Sequence, residues 1–318
     1  MRHGQLTSSN AYFAVQDSAQ TAFPGLFAPL RHGTKRQLFD RTWMFGKDLR
    51  LRIIGPQLST DDLSVLLACL ATVGSSDPDH ANFLTPDEDP GSAHAEARRA
   101  LAPTHLAKDK KVLYARTRLH RLCVISGYDT GGRDRILVLE ALRRLSAATI
   151  FESTGALEWS SHLLGFSVDD QTGELLVALN YGSTRALLGL DARSIIDISE
   201  HLVLPNGTAR ALHLFLSGWI GPGHVEATSL EHLVRRVWPD KSPRRETERT
   251  RLRAIKNALD ALDQLPGWAV EEVRTGGFHI SRDRRDTDLR NQKHGPTRPK
   301  TRTHTTTPKS RNPSAPRL

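Results

Sequence analysis

SLEHLVRRVWPDKSPRRETERTRLRAIKNALDALDQLPGWAVEEVRTGGFHISR, running from Ser229 to Arg282, is the stretch whose reading decides the fold. Ser229 is placed to cap a short helix over 229–237, with Leu230, Leu233, Val234 and Val237 on one stripe. Trp238-Pro239 stops that helix, because proline disfavours helix at the residue before it. A second helix is predicted over 243–265, with Pro243 in its first turn. Trp268–Arg274 and Phe278–Arg282 then read as two strands joined through Thr275-Gly276-Gly277, glycines supplying the positive φ of a tight hairpin turn. Apolar helix, turn, basic helix, hairpin is the order that a winged helix needs.

The second helix carries the chemistry. Residues 241–256 hold seven Lys or Arg against Glu246 and Glu248. At 100° per residue, Leu252, Ile255, Leu259 and Leu262 form a compact apolar stripe. Glu246, Arg249, Thr250, Arg253 and Asn257 share the opposite arc. Arg reaches guanine bidentately, Asn reaches adenine, and Thr meets phosphate or a thymine methyl. Arg244, Arg245 and Lys256 flank that arc, where phosphate contacts fix register without reading sequence. A solvated surface helix can carry as much charge; the helix-turn before it and the hairpin after it favour DNA. In the hairpin, Val270, Val273, Phe278 and Ile280 anchor to the core, while Arg274, His279 and Arg282 lie near its tip or open end. Arg274 is placed to follow a phosphate or enter a minor groove.

Composition narrows the classes. A length of 318 residues suggests two domains. Of the formal charge of +9, the segment 283–318 supplies +7, leaving +2 for residues 1–282. DNA affinity in the folded part therefore has to come from local clustering. The tail 284–318 is rich in Pro, Thr and Arg without apolar periodicity, and is expected to be disordered, adding sequence-independent attraction. Cys69 and Cys123 sit in apolar helical patterns and read as free, reduced thiols. There is no apolar run of membrane-spanning length and no signal-peptide pattern, so a cytoplasmic location with no membrane partner is expected.

The first half repeats the theme. Residues 1–23 are polar and expected to be flexible, followed by Phe23–Leu30 (FPGLFAPL) and basic Arg31, Lys35 and Arg36. Leu49–Ile54 reads as a strand, and Thr60-Asp61-Asp62 opens a helix to Val73. Residues 74–103 read as a long acidic loop. A helix over Arg116–Val124, a glycine-rich turn, and a helix over Arg133–Ala147 follow, the latter with Ile136, Leu139, Leu142 and Leu145 as its stripe. Its exposed side offers Arg133, Arg143 and Arg144. Strands are expected at Thr149–Glu152, Ser161–Val168 and Leu175–Asn180, the last two joined as a hairpin. Helices at Arg185–Leu190 and Thr208–Trp219 lead into the second module. The fold class is α+β: two tandem winged-helix domains over 24–180 and 181–283, with a disordered basic C-terminal tail.

Several motifs then fall in one order: PGLFAPLRHG (Pro24–Gly33), IIGPQLSTDDLSVL (Ile53–Leu66), the GxLxVALN pattern (Gly173–Asn180), TARALHLFLSGWIGPG (Thr208–Gly223), VWP (Val237–Pro239) and GW (Gly267–Trp268). This succession resembles the RepC replication initiators of IncQ-type plasmids, relatives of plasmid initiators with tandem winged helices. The resemblance covers about Phe23 to Arg282. It implies binding of iterons, the direct repeats of a plasmid origin, in double-stranded DNA. It further implies opening of an AT-rich segment and admission of a plasmid-encoded helicase and primase. In related initiators the first module serves dimerisation or weaker DNA contact, so a homodimer belongs to the expectation.

Enzyme chemistry finds little support. None of the fourteen His has another two or four residues away, so the spacings of a nuclease metal pair or a helix-borne zinc site are absent. No GxxxxGK[ST] phosphate loop occurs. No cofactor, metal or catalytic residue is expected. A transcriptional repressor using the same modules on a promoter is the alternative, since it needs the same chemistry.

Overall fold

A computed structural model describes residues 12–30, 33–75, 82–155, 157–169, 171–240, 244–273 and 276–284. Arg274, Lys241, Pro243, the tail beyond Arg284 and the first eleven residues lie outside the described residues.

The chain opens with β1 (Phe13–Asp17), α1 (Ser18–Thr21), β2 (Phe27–Ala28), the hairpin β3 (Leu38–Phe45) and β4 (Leu49–Pro56), then β5 (Leu58–Ser59) and α2 (Thr60–Gly74). Next come β6 (Phe83–Leu84), α3 (Ala93–Ala100), β7 (Thr104–His105), β8 (Val112–Arg118), α4 (Leu119–Ile125) and α5 (Gly132–Ser146). After α5 follow β9 (Thr149–Thr154), β10 (Leu157–His162), β11 (Leu164–Val168) and β12 (Glu174–Leu179). The remainder is α6 (Tyr181–Leu187), β13 (Arg193–Asp197), α7 (Ile198–Val203), α8 (Gly207–Trp219), β14 (His224–Ser229), α9 (Leu230–Val237), α10 (Arg245–Asp263), β15 (Trp268–Glu272) and β16 (Gly277–Arg282).

One arrangement occurs twice. Helix, strand, helix, helix and hairpin run α2, β8, α4, α5, β11–β12 in the first half and α8, β14, α9, α10, β15–β16 in the second. Each sheet places the hairpin's second strand in the middle, in the orders β11-β12-β8 and β15-β16-β14. The first copy is elaborated by a five-stranded antiparallel sheet, β3-β4-β9-β10-β7, built from segments before α2, between α3 and β8, and between α5 and β11. α2 is buried on every side from Asp62 to Val73, as its apolar composition requires. Its start is fixed by a capping box: Ser59 Oγ accepts from the Asp62 amide at 3.3 Å, and Asp62 accepts from the Ser59 amide at 2.7 Å.

Five expectations need correction. The N-terminal segment is not loose from residue 13 onward. β1 pairs antiparallel with β13, and Ala14, Ala19 and Phe23 join the first core. That same pairing moves the module boundary, because Ile196 and Ile198 belong to the first core and the second begins at Leu204. The acidic stretch 74–103 contains β6 and α3, whose Ala97 and Leu101 pack with Leu176 and Ala178 in a small core of their own. Residues 112–118, partly read as helix, form β8, because pairing with β12 outweighs local preference. Finally, Ile136 is 57% exposed, and Val138 takes its place in the core.

Asp17 and Asp197, at the ends of the paired β1 and β13, both cap the helices that follow. Asp17 Oδ1 accepts from the Ala19 and Gln20 amides at 2.7 and 3.1 Å, and Asp197 Oδ1 from Ser199 and Glu200 at 2.8 and 3.3 Å. Burial pushes the Asp17 carboxyl up to about 6, overcoming the two amides that favour its charged form. A raised pKa stabilises the fold below the unfolded-state value, and that contribution is lost as pH rises through 6. Asp17→Asn keeps a capping oxygen without the buried charge. We expect it to be neutral at pH 4 and to stabilise the chain by about 2–3 kcal/mol at pH 8. Denaturant unfolding at both pH values tests this; an equal effect at the two would refute it.

Candidate nucleic-acid interface

α10 is anchored by its C-terminal half. Ile255, Ala258, Leu259 and Leu262 are buried in the second core with Leu212, Phe215 and Leu216 of α8 and Leu233, Val234 and Val237 of α9. The N-terminal part differs. Every residue from Arg244 to Thr250 is exposed, whatever its position on the wheel, so this part of the helix stands clear of the core. Glu246 and Glu248 in its first turn sit where the helix dipole favours negative charge.

The expected contact residues are placed as follows. Arg245, Arg249, Arg253 and Asn257 are exposed, and no hydrogen bond or ion pair to their side chains occurs among the described residues. Arg244, the N-cap position, is also exposed. Thr250 is exposed, and its hydroxyl donates to the Glu246 carbonyl one turn back at 3.0 Å. Lys256 is half-exposed and pairs with Glu272 of β15 at 2.9 Å, which raises its pKa and ties the helix to the hairpin. Arg133 lies exposed at the start of α5, remote in sequence from the α10 group.

Two neighbours missed from the sequence fix this helix. Arg251 donates to the Asp240 carbonyl at 2.7 Å and lies over the Trp238 ring at 5.6 Å, holding the turn between α9 and α10. Asp240 in turn pairs with Arg41 of β3, linking the turn to the five-stranded sheet.

The hairpin carries the opposite charge to the helix. Gly276 has φ of 79°, as its turn requires, and Phe278 and Ile280 are buried. Outward, however, β15 presents Glu271 and Glu272, and β16 presents His279. Arg282, expected near the open end, is buried. It donates to the Ser217 and Ile195 carbonyls, each at 3.3 Å, and lies over Trp268 at 5.5 Å. It is a clamp between modules. Arg144 of α5 is likewise withdrawn from the exposed set, bonded to Asp62 at 2.9 and 2.8 Å.

The model of the Replication protein C (RepC) family matches residues 9–284 of this sequence. The chain belongs to the RepC family. No curated protein matches it. The fold is similar to that of domains 2 and 3 of RctB, in a crystal structure of selenomethionine derivatives. The TM-score is 0.50 at 12% identity, covering 85% of this chain and 99% of that one. A second structure of RctB domains 2–3 matches with a TM-score of 0.48 at 9% identity, covering 87% of this chain and 99% of that one. No helix among the described residues is long and apolar enough to cross a membrane.

In this RepC-family chain the two copies of the repeated arrangement are held together closely. The Gly25 amide donates to the Arg236 carbonyl of α9 at 2.9 Å. Gly25 has φ of 69°, and a Cβ there would lie 2.6 Å from Pro239 Cδ, so only glycine fits. The Arg236 guanidinium reaches the Ala22 carbonyl at 3.4 Å and lies between Phe215 at 4.8 Å and Trp43 at 5.8 Å. Deeper in the seam, Glu200 accepts from Trp268 Nε1 at 3.1 Å and faces His213 Nε2 at 3.0 Å. His201 meets Ser64 at 3.1 Å, and burial lowers its pKa well below the usual value. Of these groups the quoted motifs contain Gly25, Ser64, His213, Phe215, Pro239 and Trp268, whereas Trp43, Glu200, His201 and Arg236 carried no signal of this seam.

Proposed function

We propose that this protein is a plasmid replication initiator that binds direct repeats in double-stranded origin DNA, with the repeated arrangement acting as two winged helices. One observation carries the reading. The stretch from Arg244 to Thr250 is exposed all round at the head of a helix whose tail is buried, and such a projecting rod suits the major groove. Arg249, Thr250, Arg253 and Asn257 take the base edges; Arg244, Arg245, Lys256 and Arg274 take phosphates. Arg133 supplies a contact from the first module. The acidic outer side of β15 argues for a wing that stands beside the duplex and spares its phosphates Glu271 and Glu272. Opening of the origin and recruitment of the plasmid helicase and primase complete the reading, with no catalytic step assigned to this chain.

Footprinting on the native replicon tests it. Protection of evenly phased direct repeats is expected, and an initiator-deleted plasmid should regain replication when this chain is supplied. A single protected palindrome over a promoter, with no restored replication, would replace the initiator by a repressor.

A further inference from the structure

A second basic site lies on the first module. Residues 108–121 hold Lys108, Lys110, Lys111, Arg116, Arg118 and Arg121 against the single Asp109, a net charge of +5. Within this run, Arg116 of β8 and Arg121 of α4 line a cavity of about 600 Å³ together with His94 of α3 and Tyr114 of β8. Thr72, Ser75 and Asn82 complete the polar wall.

The hydrogen bonds inside it define its chemistry. His94 Nε2 lies 3.2 Å from Arg116 Nη2 and 3.0 Å from the Tyr114 hydroxyl. A guanidinium only donates, so Nε2 accepts and the neutral ring carries its proton on Nδ1. His94 thus occupies a single donor of Arg116 and neutralises none of its charge. Neither Arg116 nor Arg121 has a carboxylate partner among the described residues. Among the described residues no carboxylate faces these two cations, and two such cations on a concave wall focus a positive potential into the space between them. A carboxylate brings one charge and a planar pair of oxygens. The Thr72, Ser75 and Tyr114 hydroxyls already donate to the Ala68 carbonyl, the Thr72 carbonyl and His94, so the two guanidinium forks are the donors on offer, and they suit a tetrahedral dianion better. The volume falls within the range of small-ligand sites, and the polar lining disfavours an apolar guest.

We propose that this cavity binds a phosphomonoester, the terminal phosphate of a nucleotide or of a DNA strand. The site is separate from α10 and does not depend on that helix reading bases.

The experiment uses the full chain in phosphate-free buffer, titrated calorimetrically with a nucleoside 5′-monophosphate and with a short single strand bearing a 5′-phosphate or a 5′-hydroxyl. Saturable binding of the phosphate-bearing probes is expected. Arg116→Gln and Arg121→Gln should each weaken it about tenfold or more, whereas Arg118→Gln, outside the cavity, should have little effect. Should Arg116→Gln melt early, Arg121→Gln on the exposed side of α4 and Tyr114→Phe, which keeps every charge, still report on the site. Preference for the 5′-phosphate strand over its 5′-hydroxyl counterpart identifies a strand end; binding of the mononucleotide alone identifies a free nucleotide. No saturable binding by any phosphate probe, or equal binding by Arg121→Gln, overturns the proposal. Duplex repeat binding by the same variants fails or survives separately, so the two readings can be told apart.

Discussion

Arg253→Ala is expected to weaken binding to repeat DNA by about 1–3 kcal/mol and to relax preference at one base position. Arg253 is exposed, lies one turn beyond the projecting stretch, and has no side-chain partner to lose among the described residues. Its removal therefore leaves the fold unchanged, while the buried Leu259 and Ile255 keep the helix in place. Lys256→Ala provides the contrast: it should weaken all sequences alike and lower the salt dependence by about one counterion. An Arg253→Ala protein with unaltered affinity and footprint would remove that residue from the interface. Competition binding at several salt concentrations separates the two effects.

The largest stability change is expected at Asp62. Its side chain is fully buried and accepts from Arg36 Nη1 at 2.7 Å, from the Ser59 amide and hydroxyl at 2.7 and 2.9 Å, and from Arg144 Nε at 2.9 Å. Asp62→Ala removes the capping box of α2 and leaves two guanidinium groups facing each other across the vacated site. Breaking such a buried pair costs about 3–5 kcal/mol, and the partial exposure of both arginines places the expectation at about 3. Its neighbour Asp61 has a side chain 53% exposed and only a 3.9 Å contact to Arg210, so Asp61→Ala should stay within about 0.5 kcal/mol. Equal denaturation midpoints for the two variants would show that the buried network contributes nothing.

Much of the candidate interface was legible because its signals are local. The Ser229 cap, the stripe Ile255–Leu259–Leu262 and the glycine turn at Gly276 each depend on residues a few positions apart, and each is found where periodicity and turn chemistry put it. β14 escaped for the opposite reason. Its side chains are half or fully exposed, Val225 among them, so the short alternation of HVEATS packs on no core, and pairing with β16 makes it a strand. The N-terminal segment reads as polar, but Gln16, Asp17 and Gln20 are buried once β13 lies beside them.

The same distinction separates what the residue order settles alone from what the folded chain adds. Spacing along α10 commits Arg249 and Arg253 to one side of a helix, since side-chain direction there follows from a backbone period of 3.6 residues. Which guanidinium groups remain available is settled elsewhere. Arg282 and Arg144 look as free as Arg253 in the sequence, yet one is drawn to carbonyls of Ser217 and Ile195 and the other to the carboxylate of Asp62. Those partners are tens of residues away in the chain. A charged side chain that packing carries into the interior must find a compensating acceptor there, and only the tertiary arrangement determines which arginines are carried in.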